Sequence, residues 1–360
     1  MTSRIRIASA SVLAVLTLSS VAACGSSGSG SSGSGANGGS GGKKIALLLP
    51  ESKTTRYESL DRPMFEAALK ASCADCTIIY SNADQDPVKQ QQQAEAALTQ
   101  GVSALVLDPV DAKSAASIVN SAKGQKVPVV AYDRAIAGTD FYVSFDSETV
   151  GKLQATTLVD LLHKGGKTSG SIAMINGSPT DSNAAKFKAG AHSVLDSSGF
   201  KVAAEYDTPD WSPDKAQSWM EGQLSAIKSG LVGVYAANDG TAGGAIAALK
   251  GGGVSPMPAV TGQDAELAGV QRLVAGDQAM DVYKAIKPEA QDAANAALAL
   301  ANGKKPDSQT VVDGVPTTLL TPVAVTKANI KDTVVKDGLY TIPQICSGSF
   351  AAACTAAGLQ

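Results

Sequence analysis

Four places in the 360-residue sequence put charged or amide side chains directly after a short aliphatic run. Val129-Val130-Ala131-Tyr132 leads into Asp133-Arg134, Val234-Tyr235-Ala236-Ala237 into Asn238-Asp239, Val260-Thr261-Gly262-Gln263 into Asp264, and Asp281-Val282-Tyr283 into Lys284. If the runs are parallel strands, these residues lie beyond the carboxyl ends, where open α/β sheets bind ligands. Carboxylates, an amide and cations together offer donors and acceptors with no dominant sign. That mixture suits a neutral polyol, whose hydroxyls both donate and accept. A phosphate would want a glycine-rich loop opening a helix, and no G-x-x-x-x-G-K-[ST] is present. An amino acid, needing a nest for its carboxylate and an acid for its amine, stays open. The C–H face of a sugar ring calls for an aromatic plate; Trp211 and Tyr57 both follow predicted strands, although Trp211 could equally be ordinary packing. Taken singly, Asp239 or Asp264 could be a helix cap and the others loop ion pairs. Their recurrence at strand ends is what points to a site.

Chemistry by bond cleavage is the competing use of these residues. Glycoside hydrolysis would draw a carboxylate pair from Asp133, Asp239 and Asp264 and hold one of them protonated, whereas Arg134 and Lys284 nearby favour the ionised form. The two histidines, His163 and His192, fall in helix-like stretches away from strand ends, so neither a Ser-His pair nor a metal site assembles. Gly28, Gly30 and Gly33 fit G-x-G-x-x-G but follow no strand and open no helix, which removes the dinucleotide reading. No cofactor is implied.

The elements that must position these groups alternate. Short aliphatic runs at 44–49, 77–80, 104–107 and 129–132 are separated by helix-period stretches near 58–70, 87–100 and 113–123, the pattern of βαβ units. Four strands make one open sheet. After "FYVSFDSETVG" the pattern restarts with strands at 171–175, 202–206, 231–236 and 259–262, giving a second. A strand at 280–283, a helix at 289–300 and a strand pair within 315–325 complete the two. The expected fold is α/β, with two doubly wound, Rossmann-like lobes joined by a hinge of several crossings. The first lobe is expected over 43–146 plus 281–311 and the second over 147–280 plus 312–360, with hinges near Asp146, Met280 and Val311. A net charge of −3, from 30 basic and 33 acidic residues, gives no footprint for nucleic acid.

Residues 1–23 read as an export signal: Arg4 and Arg6, then an apolar run ending in small residues, too short and too Ser/Thr-interrupted to stay as a membrane helix. Val21-Ala22-Ala23-Cys24 resembles a bacterial lipoprotein box, in which Cys24 takes the lipid. The Gly/Ser-rich segment over 24–42 would then be a loose tether of about 25 Å reach. The expected location is therefore the outer face of the cell membrane, held by lipid alone. Of the five cysteines, four remain in an exported chain. Sequence proximity favours Cys73 with Cys76 and Cys346 with Cys354 among three connectivities. A redox or zinc role for the C-x-x-C is the alternative.

Several segments together, "AYDRAI", "DFYVSFDSETVGKLQA", "GSPTDSNAAKF", "ANDGTAGGAI", "TGQDAELAGVQRLVAG" and "MDVYKAI", resemble the periplasmic D-xylose-binding proteins that serve ABC importers. These belong to the type I, ribose-binding-like class of solute-binding proteins. The resemblance runs in order from 44 to about 302. It implies that Arg56, Asp133, Arg134, Asn183, Asn238, Asp264 and Lys284 hydrogen-bond the sugar, that Tyr57 and Trp211 sandwich its ring, and that Asp181 joins them. It also implies a monomer that closes on the sugar and delivers it to a permease. Ribose, arabinose, glucose or a short xylo-oligosaccharide are the alternative ligands. A Lac-repressor-type regulator of the same fold would need an N-terminal helix-turn-helix, where this chain has a signal and a tether.

Overall fold

The computed structural model describes residues 42–359; the export signal, Cys24 and nearly all of the tether lie outside them. The first lobe opens with β1 (Lys44–Leu49), α1 (Arg62–Ser72), β2 (Thr77–Asn82), α2 (Pro87–Thr99), β3 (Ala104–Leu107), α3 (Ala116–Gly124), β4 (Val129–Tyr132) and β5 (Phe141–Phe145). The second follows with α4 (Ser147–Lys164), β6 (Ser171–Asn176), α5 (Ser182–Leu195), β7 (Lys201–Asp207), α6 (Pro213–Ile227), β8 (Leu231–Ala236), α7 (Asp239–Gly251), β9 (Ala259–Gln263), α8 (Leu267–Ala275) and β10 (Met280–Tyr283). The chain then runs through α9 (Ile286–Ala301), β11 (Thr310–Val312), β12 (Val315–Leu320), β13 (Val323–Val325), α10 (Ile342–Ile345) and α11 (Ala351–Ala356).

Two sheets result, ordered β11-β12-β5-β4-β3-β1-β2 and β13-β10-β9-β8-β6-β7. All pairings are parallel except those of β11 and β13, which are antiparallel to their neighbours. The unbroken apolar runs of the strands follow from burial on both faces. In β1, Ile45, Leu47 and Leu49 pack with α1 and α9 on one side, while Ala46 and Leu48 pack with α2 and α3 on the other.

The lobe boundaries expected at 281 and 312 are displaced. Met280–Tyr283 extends the second sheet, pairing with β9, whereas α9 after it packs on the first lobe. Likewise β12 pairs with β5 in the first sheet and β13 with β10 in the second, so the strand pair expected within 315–325 is divided between lobes. The crossings therefore fall at 145–147, 283–286 and 320–323, each just beyond a strand's carboxyl end. A strand belongs to the sheet whose ladder it extends, and the chain can change lobes only after that ladder ends. Only the first crossing sits where expected, at Asp146. The first sheet reaches seven strands because β5, β11 and β12 join the four read from the alternation.

Both expected disulfides are present, Cys73–Cys76 and Cys346–Cys354. The second staples the C-terminal segment, whose Ile345, Cys354 and Leu359 share a core with α8 and β10. No helix among the described residues is long and apolar enough to cross a membrane.

Candidate functional site

The carboxyl ends of the two sheets face each other across a small cavity. The first lobe contributes Thr54, Tyr57, Asp133 and Arg134. The second contributes Asp181, Asn183, Phe187 and Trp211, then Asn238, Gln263 and Asp264, and Lys284 enters from the crossing after β10. Nine of the ten residues expected to bind thus line one cavity. Arg56 stands directly behind it, with Nη1 3.4 Å from Asp264 Oδ1 and 3.8 Å from Asp133 Oδ1.

Strained backbone aims several of these groups. Asp133, Asp210, Trp211, Asp264 and Ala265 hold φ of 55°, 59°, 51°, 93° and 51°, a region that costs non-glycine residues roughly 1–3 kcal/mol each. At Asp133 the surroundings fix the turn, because its carbonyl accepts hydrogen bonds from Tyr142 Oη, Ser144 Oγ and Asn183 Nδ2. Trp211 is seated over Gly177, where a Cβ would lie 2.0 Å from the indole. Its Nε1 donates to Asp181 Oδ2 at 3.0 Å, and its ring meets Phe187 edge-on at 6.5 Å. Asp181 also caps α5 and reaches across the lobes to Arg134 Nε at 3.0 Å.

Charges are balanced and mutually held. Lys284 Nζ lies 2.8 Å from Asp264 Oδ1 and 3.7 Å from Asp133 Oδ1. Arg56 is clamped from behind by Asp61 on Nε and Nη2 and by Glu289 on Nη2. Burial opposes ionisation of Asp133, yet Lys284, Arg56 and Arg134 outweigh it and hold the carboxyl below its usual range. Burial likewise disfavours the charged forms of Lys284 and Arg56, but the acids around them leave both pKa values raised. Asp133 is thus held as a carboxylate and Lys284 and Arg56 as cations around one small space, whereas burial pushes Glu289 behind them well up.

Two expectations are refined. Tyr57 lines the cavity, but it is also wired into it: its hydroxyl donates to Asp133 Oδ2 at 2.9 Å and accepts from Arg134 Nη2 at 3.1 Å. Asn238 is a helix cap as well as a lining residue, its Oδ1 taken by Thr241 N, which leaves Nδ2 without a hydrogen bond among the described residues. Asp239 turns away into a buried network, accepting from Glu266 N and Gln278 Nε2, and burial beside Asp281 pushes its carboxyl well up. It therefore cannot pair with Asp133 as a catalytic carboxylate. Thr54, Phe187 and Gln263 were not expected. Phe187 lies one helical turn after Asn183 and Gln263 directly precedes Asp264, so spacing could have flagged both; Thr54 carries no such signal.

Two α/β lobes meeting over an enclosed, charge-balanced cavity with an aromatic wall define a two-lobed solute-binding fold of type I. The chain belongs to the periplasmic binding protein family, whose Periplasmic binding protein domain matches residues 45–305. It is 40% identical over 307 residues to the D-xylose-binding periplasmic protein of Escherichia coli, covering 82% of this chain and 91% of that one. To the D-xylose-binding periplasmic protein of Haemophilus influenzae it is 38% identical, covering 83% and 90%. Among solved structures, a Clostridium phytofermentans ABC transporter solute-binding protein with bound β-D-glucose superposes with a TM-score of 0.76 at 26% identity, covering 84% of this chain and all of that one.

Proposed function

We propose that the protein captures a monosaccharide, D-xylose before others, in the interlobe cavity and hands it to the permease of an ABC importer. One observation carries this reading. Thr54 Oγ1, Asp133 Oδ1, Asn183 Oδ1 and Gln263 Oε1 are buried on the cavity wall and accept no hydrogen bond from any described residue. Each such group costs about 1–3 kcal/mol if left unpaired, and a pentose ring supplies a hydroxyl for each of them. Lys284, Arg56 and Asn238 Nδ2 offer the complementary donors. Six or so bonds to charged groups, about 1.5–3 kcal/mol each, exceed the roughly 8 kcal/mol of a micromolar complex before ordering and closure are subtracted.

The lining side chains are buried and close in on a small space, which favours one ring over an oligosaccharide. The ring would lie between Tyr57 and Trp211. Because Asp133 is held ionised it has no proton to give as a general acid, which favours binding over glycoside cleavage. The relatives named for D-xylose favour that sugar over ribose, arabinose or glucose. In this reading the receptor works as a monomer on the outer membrane face, held by a lipid on Cys24, so a Cys24→Ser chain should be released into the medium.

Titration calorimetry of the purified protein against D-xylose, D-glucose, D-ribose and L-arabinose tests the reading. Micromolar or tighter binding of xylose, abolished in Asp264→Ala, is the expected result. Silence to all four sugars would refute it.

A further inference from the structure

Gln263 is 2% exposed, lines the cavity, and makes no side-chain hydrogen bond to any described residue; its Oε1 is among the buried unpaired acceptors. The other two cavity amides differ. Asn183 has given Nδ2 to the carbonyl of Asp133 and keeps only Oδ1. Asn238 has given Oδ1 to the cap of α7 and keeps only Nδ2. Gln263 alone offers both halves of its amide. Charged neighbours also face the cavity, but Asp264 Oδ1 is shared by Lys284 and Arg56 and Arg134 is engaged by Pro109, Tyr57, Asp108 and Asp181, so none of them sets a free acceptor beside a free donor in one planar group.

We propose that Gln263 is a specificity-determining ligand contact that grips two adjacent hydroxyls of the sugar, accepting from one through Oε1 and donating to the other through Nε2. The geometry of a planar amide, one acceptor beside one donor, matches a vicinal diol and not an isolated hydroxyl. A rigid, buried amide also penalises a ligand lacking either hydroxyl, because the half left unpaired has no water to turn to. This inference rests on the sugar-binding reading and sharpens it, assigning to a neutral side chain the recognition of a vicinal pair beside the hydroxyls that the charged residues take.

The test couples variants to ligands. D-Xylose and its 1-, 2-, 3- and 4-deoxy analogues are titrated into the full native protein, Gln263→Met and Gln263→Glu, with thermal unfolding as the check on folding. Gln263→Met should lose about tenfold or more in xylose affinity. Its penalty for deoxygenation should vanish at two neighbouring carbons and persist at the other two. Gln263→Glu, which keeps the acceptor and loses the donor, should keep the penalty at one of those carbons only, and it decides the matter should the methionine variant fail to fold. A folded Gln263→Met with native affinity, or with undiminished penalties at every carbon, would overturn the inference and leave the sugar reading standing. A native protein that binds no sugar would overturn both.

Discussion

Asp133 carries three tasks at once. Its carbonyl anchors a strained strand end, its Oδ2 takes the Tyr57 hydroxyl, and its Oδ1 faces the cavity between Lys284 and Arg56. Asp133→Asn keeps the shape and removes the charge, leaving buried cations without their counterion. Thermal and denaturant unfolding should report a loss of about 3–5 kcal/mol, and calorimetry a fall in sugar affinity of roughly tenfold to a hundredfold. Tyr57→Phe is a milder probe of the same network. It strands Asp133 Oδ2 and one Arg134 nitrogen without touching the ring, so unfolding should show a loss of about 1–3 kcal/mol while any stacking persists. At this scale the sequence was readable wherever a polar residue followed a strand, which is why Asp133, Arg134, Asp264 and Lys284 could be picked out. The Tyr57 hydroxyl was not readable, because its partners lie 76 and 77 residues away. Nor were the positive φ angles, since they are imposed by contacts such as Asn183 to Asp133 that exist only once the lobes have met.

Among elements, the strands were legible from their aliphatic runs and the lobe to which each belongs was not. Composition reports that a strand is buried, whereas its sheet is decided by which neighbour's ladder it extends; β10 and β12 were assigned to the wrong lobes for this reason. β5 escaped notice because only a short loop, without a helix, joins it to β4, against the alternation that revealed the others. The contact between α4 and α5 was equally hidden, and it positions part of the site. Gly151 and Gly190 let the helices touch backbone to backbone: a Cβ on Gly151 would lie 2.0 Å from the Phe187 carbonyl, and one on Gly190 2.2 Å from that of Glu148. Gly151→Ala must therefore push away α5, which carries Asn183 and Phe187. A loss of about 1–3 kcal/mol by thermal unfolding, together with weaker sugar binding, is expected. Gly222→Ala is the contrast. Nothing lies within 4 Å of its Cβ position on the exposed face of α6, so the same change there should stabilise by about 0.5–1 kcal/mol and leave binding alone.

For the whole molecule the question is what closure costs and what conditions bias it. Several bonds cross between the lobes away from the cavity: Ala112 N to Thr180 O at 3.1 Å, Gln85 Nε2 to Asp210 O at 3.2 Å, and Arg56 N to Glu266 Oε1 at 3.2 Å. Of these only the last involves a titratable group. Burial, then Asp239 and Asp264 beside it, push Glu266 up to about 8, against the backbone N–H of Arg56 and the side chain of Thr55, which pull it down. Tyr340 also lies close to it. Parting the lobes would let water reach Glu266 and return it toward its ordinary 4.5. The closed form then binds the extra proton, so closure takes up a proton between those two values. Affinity should be strongest at the acid end of that window, weaken as pH rises through 8, and level off above it. Asp133 works in the opposite sense only below its ordinary 3.8, outside the window. Asp239 and Asp281 make their contacts within the second lobe, so they bear on its folding before they bear on closure. Calorimetry in two buffers of different ionisation enthalpy should detect proton uptake on sugar binding at pH 7. Glu266→Gln should abolish that uptake and flatten affinity between pH 6 and 9. A native protein whose affinity is already flat across that range would show that Glu266 keeps its environment when the lobes part, and that closure is not linked to a proton.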